Sequence, residues 1–332
     1  MLTISDLLVA HTVLEVLSTL ERVGVFGYLK KRLVGATAVE IEDELNLNAS
    51  MTEALLDFLV INVPEAINKQ GDKFLLKPDF NKRELQNTLY FHLAYRPVLN
   101  CLPELLRSEK EYGVDVFRVG EYLRVSSKLH NQDAWRRLGN FLMAQPFDTL
   151  VDLGCSAGDF LIEVASLLPQ QELRGVEIDL SMMALAEQGI AQAGLGERCR
   201  ILQGDIAQPR AWKDQLGFYA GKKLAFVGIT VWHELLFRGE DYSTSVLRAY
   251  KTCFPGSLFC VIEYNGFTLS ELPALPSHLR QYVAVYQLMH SLTKQGQPQS
   301  PRTWEGILKK GGVTVTQVIQ FPSNLTLYVG RL

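Results

Sequence analysis

Residues 151–160 read VDLGCSAGDF: an apolar run carrying Asp152, a turn through Gly154-Cys155-Ser156-Ala157-Gly158, and a departure along Asp159-Phe160 that suits a helix. That order reads as strand, tight turn, helix, the opening of a βαβ unit. Gly154 and Gly158 let backbone approach a ligand where a side chain would clash. Downstream, LRGVEID predicts a second buried strand with Glu177 at its carboxyl end, and ILQGD a third followed by Asp205. Three acids at three successive strand ends line one rim of a doubly wound sheet, where α/β folds of this kind bind ligands.

The chemistry of that rim selects among ligands. A dinucleotide site needs GxGxxG close to a pyrophosphate on a helix N-terminus. Here Gly154 and Gly158 have the wrong spacing, and Asp152 would repel the pyrophosphate. A ligand without phosphate that offers an ammonium, a ribose diol and an adenine amine suits all three carboxylates, and S-adenosylmethionine is such a ligand. On Asp152, Gly154, Ser156, Gly158, Glu177 and Asp205 the chain resembles the class I S-adenosylmethionine-dependent methyltransferases. Ile178 and Ile206, directly after the second and third acids, complete the expected cofactor set.

The rest of the catalytic half extends the pattern. KKLAFVGIT is an apolar, β-branched fourth strand followed by Val231-Trp232-His233-Glu234-Leu235, and SLFCVIE is a fifth strand ending in Glu263. VTVTQVIQ and NLTLYVGRL predict a terminal β-hairpin. The expectation is an α/β fold, a doubly wound seven-stranded Rossmann-like methyltransferase sheet with an N-terminal helical, winged-helix domain. Its expected divisions are residues 1–95 for the winged-helix-like domain, 96–130 for a helical connection and 131–332 for the methyltransferase domain.

Ahead of the sheet, Thr37-Ala38-Val39-Glu40 and Ser50-Met51-Thr52-Glu53 are capping boxes that predict two short helices. The segments EAINK and KFLLK, joined through Gln70-Gly71-Asp72, predict a hairpin after them. Residues 82–146 predict helices interrupted at Pro97, Pro103, Gly113 and Gly120. Helix, turn, helix, hairpin suggests duplex DNA, yet the second helix has no Lys or Arg and carries Glu53 and Asp57. Base edges and phosphates call for donors, so this segment reads as a packing module. The small-molecule O-methyltransferases of natural-product pathways carry a similar domain, and the resemblance implies a homodimer formed through it.

Composition narrows the classes further. With 332 residues, 47% of them hydrophobic, the chain is long enough for a large core and two domains. A net charge of −3 gives no polyelectrolyte signature for nucleic acid or an acidic membrane. The first apolar run lacks a basic leader and is broken by Asp6 and Glu15, so no signal peptide is expected. Five scattered cysteines with no CxxC read as reduced thiols of a cytoplasmic protein.

Methyl transfer from a sulfonium needs alignment and removal of the acceptor's proton. His233 sits just past the fourth strand, at the edge that carries the acids. An imidazole with an ordinary pKa of about 6.5 suits a hydroxyl as general base. The competing reading is a packed core histidine. The O-methyltransferases that the chain resembles carry a His-Asp pair here, matched by His233-Glu234, and an orienting carboxylate matched by Glu263. Their second bracketing acid falls where this chain has Pro301, just before Arg302-Thr303.

His290, Gln295 and Gln297 are candidates to fill that gap, with His290 the third expected catalytic residue. The expected function is S-adenosylmethionine-dependent methylation of a small natural-product or polyketide-type hydroxyl. One alternative is C-methylation of a carrier-protein-bound malonyl-type unit, with Fe or Mn held by His233, Glu263, His290 and Gln295. Another is a non-catalytic winged-helix regulator. No nucleic acid or membrane partner is expected.

Overall fold

The computed structural model describes residues 3–81, 83–216 and 222–332. The chain divides into two compact units, Met1–Arg107 with Val116–His130, and Ser108–Asp115 with Asn131–Leu332. The stretch 96–130, read from sequence as a connection, therefore lies mostly within the first unit.

In the first unit, α1 (Ile4–Arg22), α2 (Val25–Lys30), α3 (Ala38–Leu45) and α4 (Ala49–Asn62) precede a hairpin of β1 (Ile67–Gln70) and β2 (Lys73–Leu76). Then come α5 (Arg83–Asn100), α6 (Leu102–Leu106) and the start of α7 (Gly120–Met143). Thr37 opens α3 with the expected capping box: its side chain accepts from Glu40 N–H and the Glu40 carboxylate accepts from Thr37 N–H. The second box is not used. Asn48, two residues earlier, caps α4 by accepting from Met51 N–H at 2.9 Å. An Asn in extended backbone reaches N3 as well as Ser does, so the helix takes the earlier cap.

Pro97 does not interrupt its helix either. It lies in the last turn of α5, where the missing N–H costs one bond, to the carbonyl four residues back. Lys69 on β1 binds both acids of α4, Glu53 at 2.9 Å and Asp57 at 2.9 Å. The helix that lacks bases is thus tied to its own hairpin. Phe26, Ile41, Leu56, Leu59, Phe74 and Phe80 form the core of this unit.

The second unit is a seven-stranded sheet. Its strands are β3 (Thr149–Leu153), β4 (Glu172–Glu177), β5 (Cys199–Gln203), β6 (Leu224–Ile229), β7 (Leu258–Tyr264), β8 (Thr314–Phe321) and β9 (Leu325–Arg331). Their order is β5-β4-β3-β6-β7-β9-β8, with β5 to β7 parallel and the β8–β9 hairpin antiparallel to β7. All five residues of β3 and all seven of β7 are buried, because helices cover both faces. The expected terminal hairpin forms the far edge, where β8 exposes its Thr and Gln residues.

Between the strands lie the end of α7, then α8 (Asp159–Val164), α9 (Leu180–Gln192), α10 (Pro209–Trp212), α11 (Trp232–Leu235), α12 (Glu240–Cys253), α13 (Ser277–Leu292) and α14 (Pro301–Lys310). The strand sequence runs outward from β3 to β5 on one side and from β6 to β7 on the other. The switch point therefore falls between β3 and β6, and folds of this kind bind their ligands at the carboxyl ends of the strands that flank it. Among the described residues no helix is long and apolar enough to cross a membrane.

Candidate active site

The glycine turn after β3 adopts the left-handed backbone its sequence calls for. Gly154 has φ +70°, and a Cβ there would lie 2.8 Å from Val231 Cγ2 in the loop after β6. The two loops at the switch point thus touch, and only a glycine permits it. Ser156 and Gly158 also have positive φ, 49° and 71°, and Gly158 caps α8.

Asp152 sits within β3, opposite Gly175 on β4 and Val227 on β6, and is 3% exposed. Burial, reinforced by the negative charge of Glu177, pushes its pKa up to about 8. A buried carboxyl next to a second carboxylate, at the foot of a turn with left-handed backbone, suits a cationic ligand group. The residues therefore fit the ammonium end of S-adenosylmethionine.

Glu177 ends β4 and already works as a clamp. Its Oε2 accepts from Ser156 N–H at 2.8 Å, while Oε1 accepts from Ile178 and Asp179 N–H, both at 2.9 Å. One carboxylate joins the turn after β3 to the turn after β4. Ile178 is 64% exposed beside it. Asp205 lies beyond β5 and accepts from Ala207 N–H at 2.8 Å. Its own carbonyl takes the indole N–H of Trp212 at 2.9 Å, and the Ile206 carbonyl takes the Tyr250 hydroxyl at 2.8 Å. Aromatic anchors from α10 and α12 therefore hold the third acid's turn, a support that the sequence pattern did not reveal.

Across the switch point, Thr230 leaves β6 with φ +51°, a strained conformation for a β-branched residue that is worth about 1–3 kcal/mol. Its N–H is held by Ile262 O at 2.7 Å. The strain turns the chain sharply into α11, whose first residues fall over the end of β7. Glu263, fully buried there, accepts from Trp232 N–H at 2.7 Å and His233 N–H at 3.1 Å through Oε1. Its Oε2 lies 2.7 Å from His233 Nδ1. Trp232 packs edge-on against Tyr250 and Phe259, which fixes the short helix from below.

His290 completes the cluster from α13. Its Nδ1 lies 2.8 Å from Tyr286 O and its Nε2 3.0 Å from His233 Nε2. Both imidazoles are nearly inaccessible, at 2% and 1% exposure. The Tyr286 ring lies against His290, with centroids 4.1 Å apart, and Tyr264 of β7 packs on Tyr286 in turn. Periodicity offered one signal for this face: Tyr282, Tyr286 and His290 recur every fourth residue.

Three residues near the gap read from sequence take other roles. Glu234, aligned with the Asp of the resembled pair, is exposed and accepts from Gln295 Nε2 at 2.7 Å. Gln297 donates to Ser291 Oγ at 2.7 Å. Pro301 is the first residue of α14, behind the Ser300 cap.

Fe or Mn held by His233, Glu263, His290 and Gln295 would require those four to converge. Glu263 lies on the Nδ1 side of His233, His290 on the Nε2 side, and the Gln295 amide faces Glu234. Among the described residues no three His, Cys, Asp or Glu side chains are grouped to hold a metal. The four do not fit that ion.

No family model matches the sequence. The chain is 35% identical over 80 residues to the 23S rRNA (uracil(1939)-C(5))-methyltransferase RlmD of Acidithiobacillus ferrooxidans, a match to 24% of this chain and only 18% of that protein. A structure of PigF with SAH superposes with a TM-score of 0.72 at 16% identity, covering 100% of both chains. Human N-acetylserotonin methyltransferase with SAM superposes at 0.69 and 18% identity, covering 98% of this chain and 96% of that one. The chain has the fold of these class I methyltransferases, sheet and amino-terminal helical unit alike.

Proposed function

We propose that this protein transfers the methyl group of S-adenosylmethionine to a hydroxyl of a small molecule, with His233 as general base. The observation that carries the reading is the meeting, at one switch point, of an acid-lined glycine turn and a carboxylate-oriented histidine. When bound, the cofactor supplies a sulfonium-activated methyl group. Asp152 receives the ammonium, Glu177 the ribose hydroxyls and Asp205 the adenine amine, with Ile178 and Ile206 against the nucleoside. Glu263 keeps His233 in the tautomer with hydrogen on Nδ1, so Nε2 is the atom that takes the acceptor's proton.

The acceptor is a natural-product or polyketide-type molecule, free or carrier-bound. The first unit forms a homodimer, as the resemblance implies, and is indifferent to DNA because α4 carries acids already bound by Lys69. Five free thiols support a reducing, cytoplasmic setting. Calorimetry with S-adenosylhomocysteine tests the site: one site per chain is expected, weakened in Asp205→Ala, whereas tight NAD binding would overturn the reading. Light scattering tests the dimer. A phenolic acceptor panel with labelled methyl donor tests the transfer, and label found only on the α-carbon of a malonyl-type carrier substrate would replace the hydroxyl.

A further inference from the structure

The two buried imidazoles meet nitrogen to nitrogen, and the proton count at that meeting is the point of interest. Three contacts need one hydrogen each: Glu263 Oε2 to His233 Nδ1 at 2.7 Å, His233 Nε2 to His290 Nε2 at 3.0 Å, and His290 Nδ1 to Tyr286 O at 2.8 Å. A carbonyl oxygen only accepts, so His290 Nδ1 carries hydrogen. A carboxylate and two neutral imidazoles together bring two hydrogens, one short. With two, a pair of bare nitrogen lone pairs would face each other at 3.0 Å in a site closed to water, and that contact would be repulsive. With three, it is an N–H···N hydrogen bond of ordinary length.

We infer that Glu263, His233 and His290 bind three protons in the resting protein, and that the third, shared between the two Nε2 atoms, makes His290 a latch on the base. The cluster is then neutral: one positive charge spread over the rings, one negative on Glu263. The surroundings agree with that charge. Glu263 on β7 lies against His233, the Tyr286 ring of α13 lies against His290, and Tyr264 of β7 packs on Tyr286. The segment after α13 brings the uncharged Gln295, while Lys294 is paired with Glu111.

The consequence rests on the proposed role of His233. While the third proton is bound, His233 Nε2 is occupied and cannot receive a hydroxyl's proton. When it departs to solvent, the facing lone pairs repel, His290 turns aside, and Nε2 opens to the acceptor. His290 is thus a positioning residue that acts through His233.

The test is nitrogen-15 NMR of protein labelled at histidine, titrated from pH 5 to 9, in wild type and in His290→Gln. The glutamine amide donates to a neutral Nε2, so that variant needs no third proton. The wild-type rings are expected to lose one proton together, and His290→Gln is expected to move the His233 titration down by about one to two pH units, the value of a lost charge-assisted hydrogen bond. The acidic limb of turnover should move by the same amount. Two rings that titrate independently, or only two ring N–H signals throughout, would overturn the latch without touching the methyltransferase reading. One equivalent of metal that leaves with His290→Ala would overturn it too, since a metal ion would then fill the gap. A coupled titration in a protein that never transfers a methyl group would keep the latch and remove the base.

Discussion

Glu263 and His233 are joined twice, through the imidazole at 2.7 Å and through the peptide N–H at 3.1 Å, although thirty residues separate them. The double attachment makes the orientation of the ring inseparable from the placement of its helix. The same carboxylate also accepts from Trp232 N–H, so α11 begins on an anion, as the exposed N–H groups of a first turn favour.

Removing that anion has two separable effects. Glu263→Ala leaves two N–H groups and a buried imidazole without their acceptor, and a loss of about 3–5 kcal/mol is expected for breaking a buried pair. Glu263→Gln keeps a carbonyl for the peptide groups but loses the charge that favours proton uptake by His233. It is expected to lose less stability while turnover falls by about 10²–10³-fold. Denaturant melts paired with steady-state kinetics check this. Equal stability losses in both variants would count against the double role.

Asp152 gives the site a pH signature. Its pKa stands near 8 in the folded chain against an ordinary value of 3.8, so between those values the folded state binds the extra proton. Its contribution to stability is therefore complete below about pH 4 and declines as pH rises toward 8. Asp152→Asn removes the titration, and its thermal midpoint relative to wild type should climb across that range. Cofactor binding places an ammonium beside the carboxyl and should expel the proton. Calorimetry near pH 7 in buffers of different ionisation heat is expected to show close to one proton released per site in wild type, and none in the variant.

Glu177 ties two loops before any ligand arrives. Glu177→Gln retains one acceptor oxygen and should free the Ser156 amide or the Ile178 and Asp179 amides. Hydrogen exchange at these amides is expected to rise. Affinity for S-adenosylhomocysteine should fall by about 10–150-fold, the equivalent of about 1.5–3 kcal/mol for charge-assisted bonds. An unchanged affinity would remove Glu177 from the cofactor site.

The segment after α13 passes close to His233. A Cβ on Gly296 would lie 1.9 Å from His233 O, a backbone atom that cannot step aside without moving α11. Gly296→Ala is expected to displace the segment or the helix and to lower turnover at least tenfold, with cofactor affinity retained because the β3 to β5 turns lie elsewhere. Parallel turnover and binding measurements check this, and wild-type turnover would show that the segment yields freely.

Much of this was legible because it is written locally. Continuous apolar runs become strands wherever helices cover both faces, the Gly154–Gly158 turn declares its backbone by composition, and Asp152, Glu177 and Asp205 lie at or near the carboxyl ends of strands whose direction the alternation of elements fixes. The sequence alone thus determined the strands of the sheet and the rim on which the three acids stand. It misplaced the cap of α4, because Asn48 and Ser50 are both good caps and only packing chooses between them.

The meeting of His233, Glu263 and His290 belongs to the tertiary structure. The spacing of Tyr282, Tyr286 and His290 marks a helix face, but no spacing says which residue that face will meet, since it depends on how α13 is seated over β7. Pro301 stands where the resembled family has its second acid, and only the structure shows that it opens α14 behind the Ser300 cap. Side chains that come from 57 positions apart are brought within 3.0 Å only by the packing between their elements, and the proton they share exists only once water has been excluded from that contact.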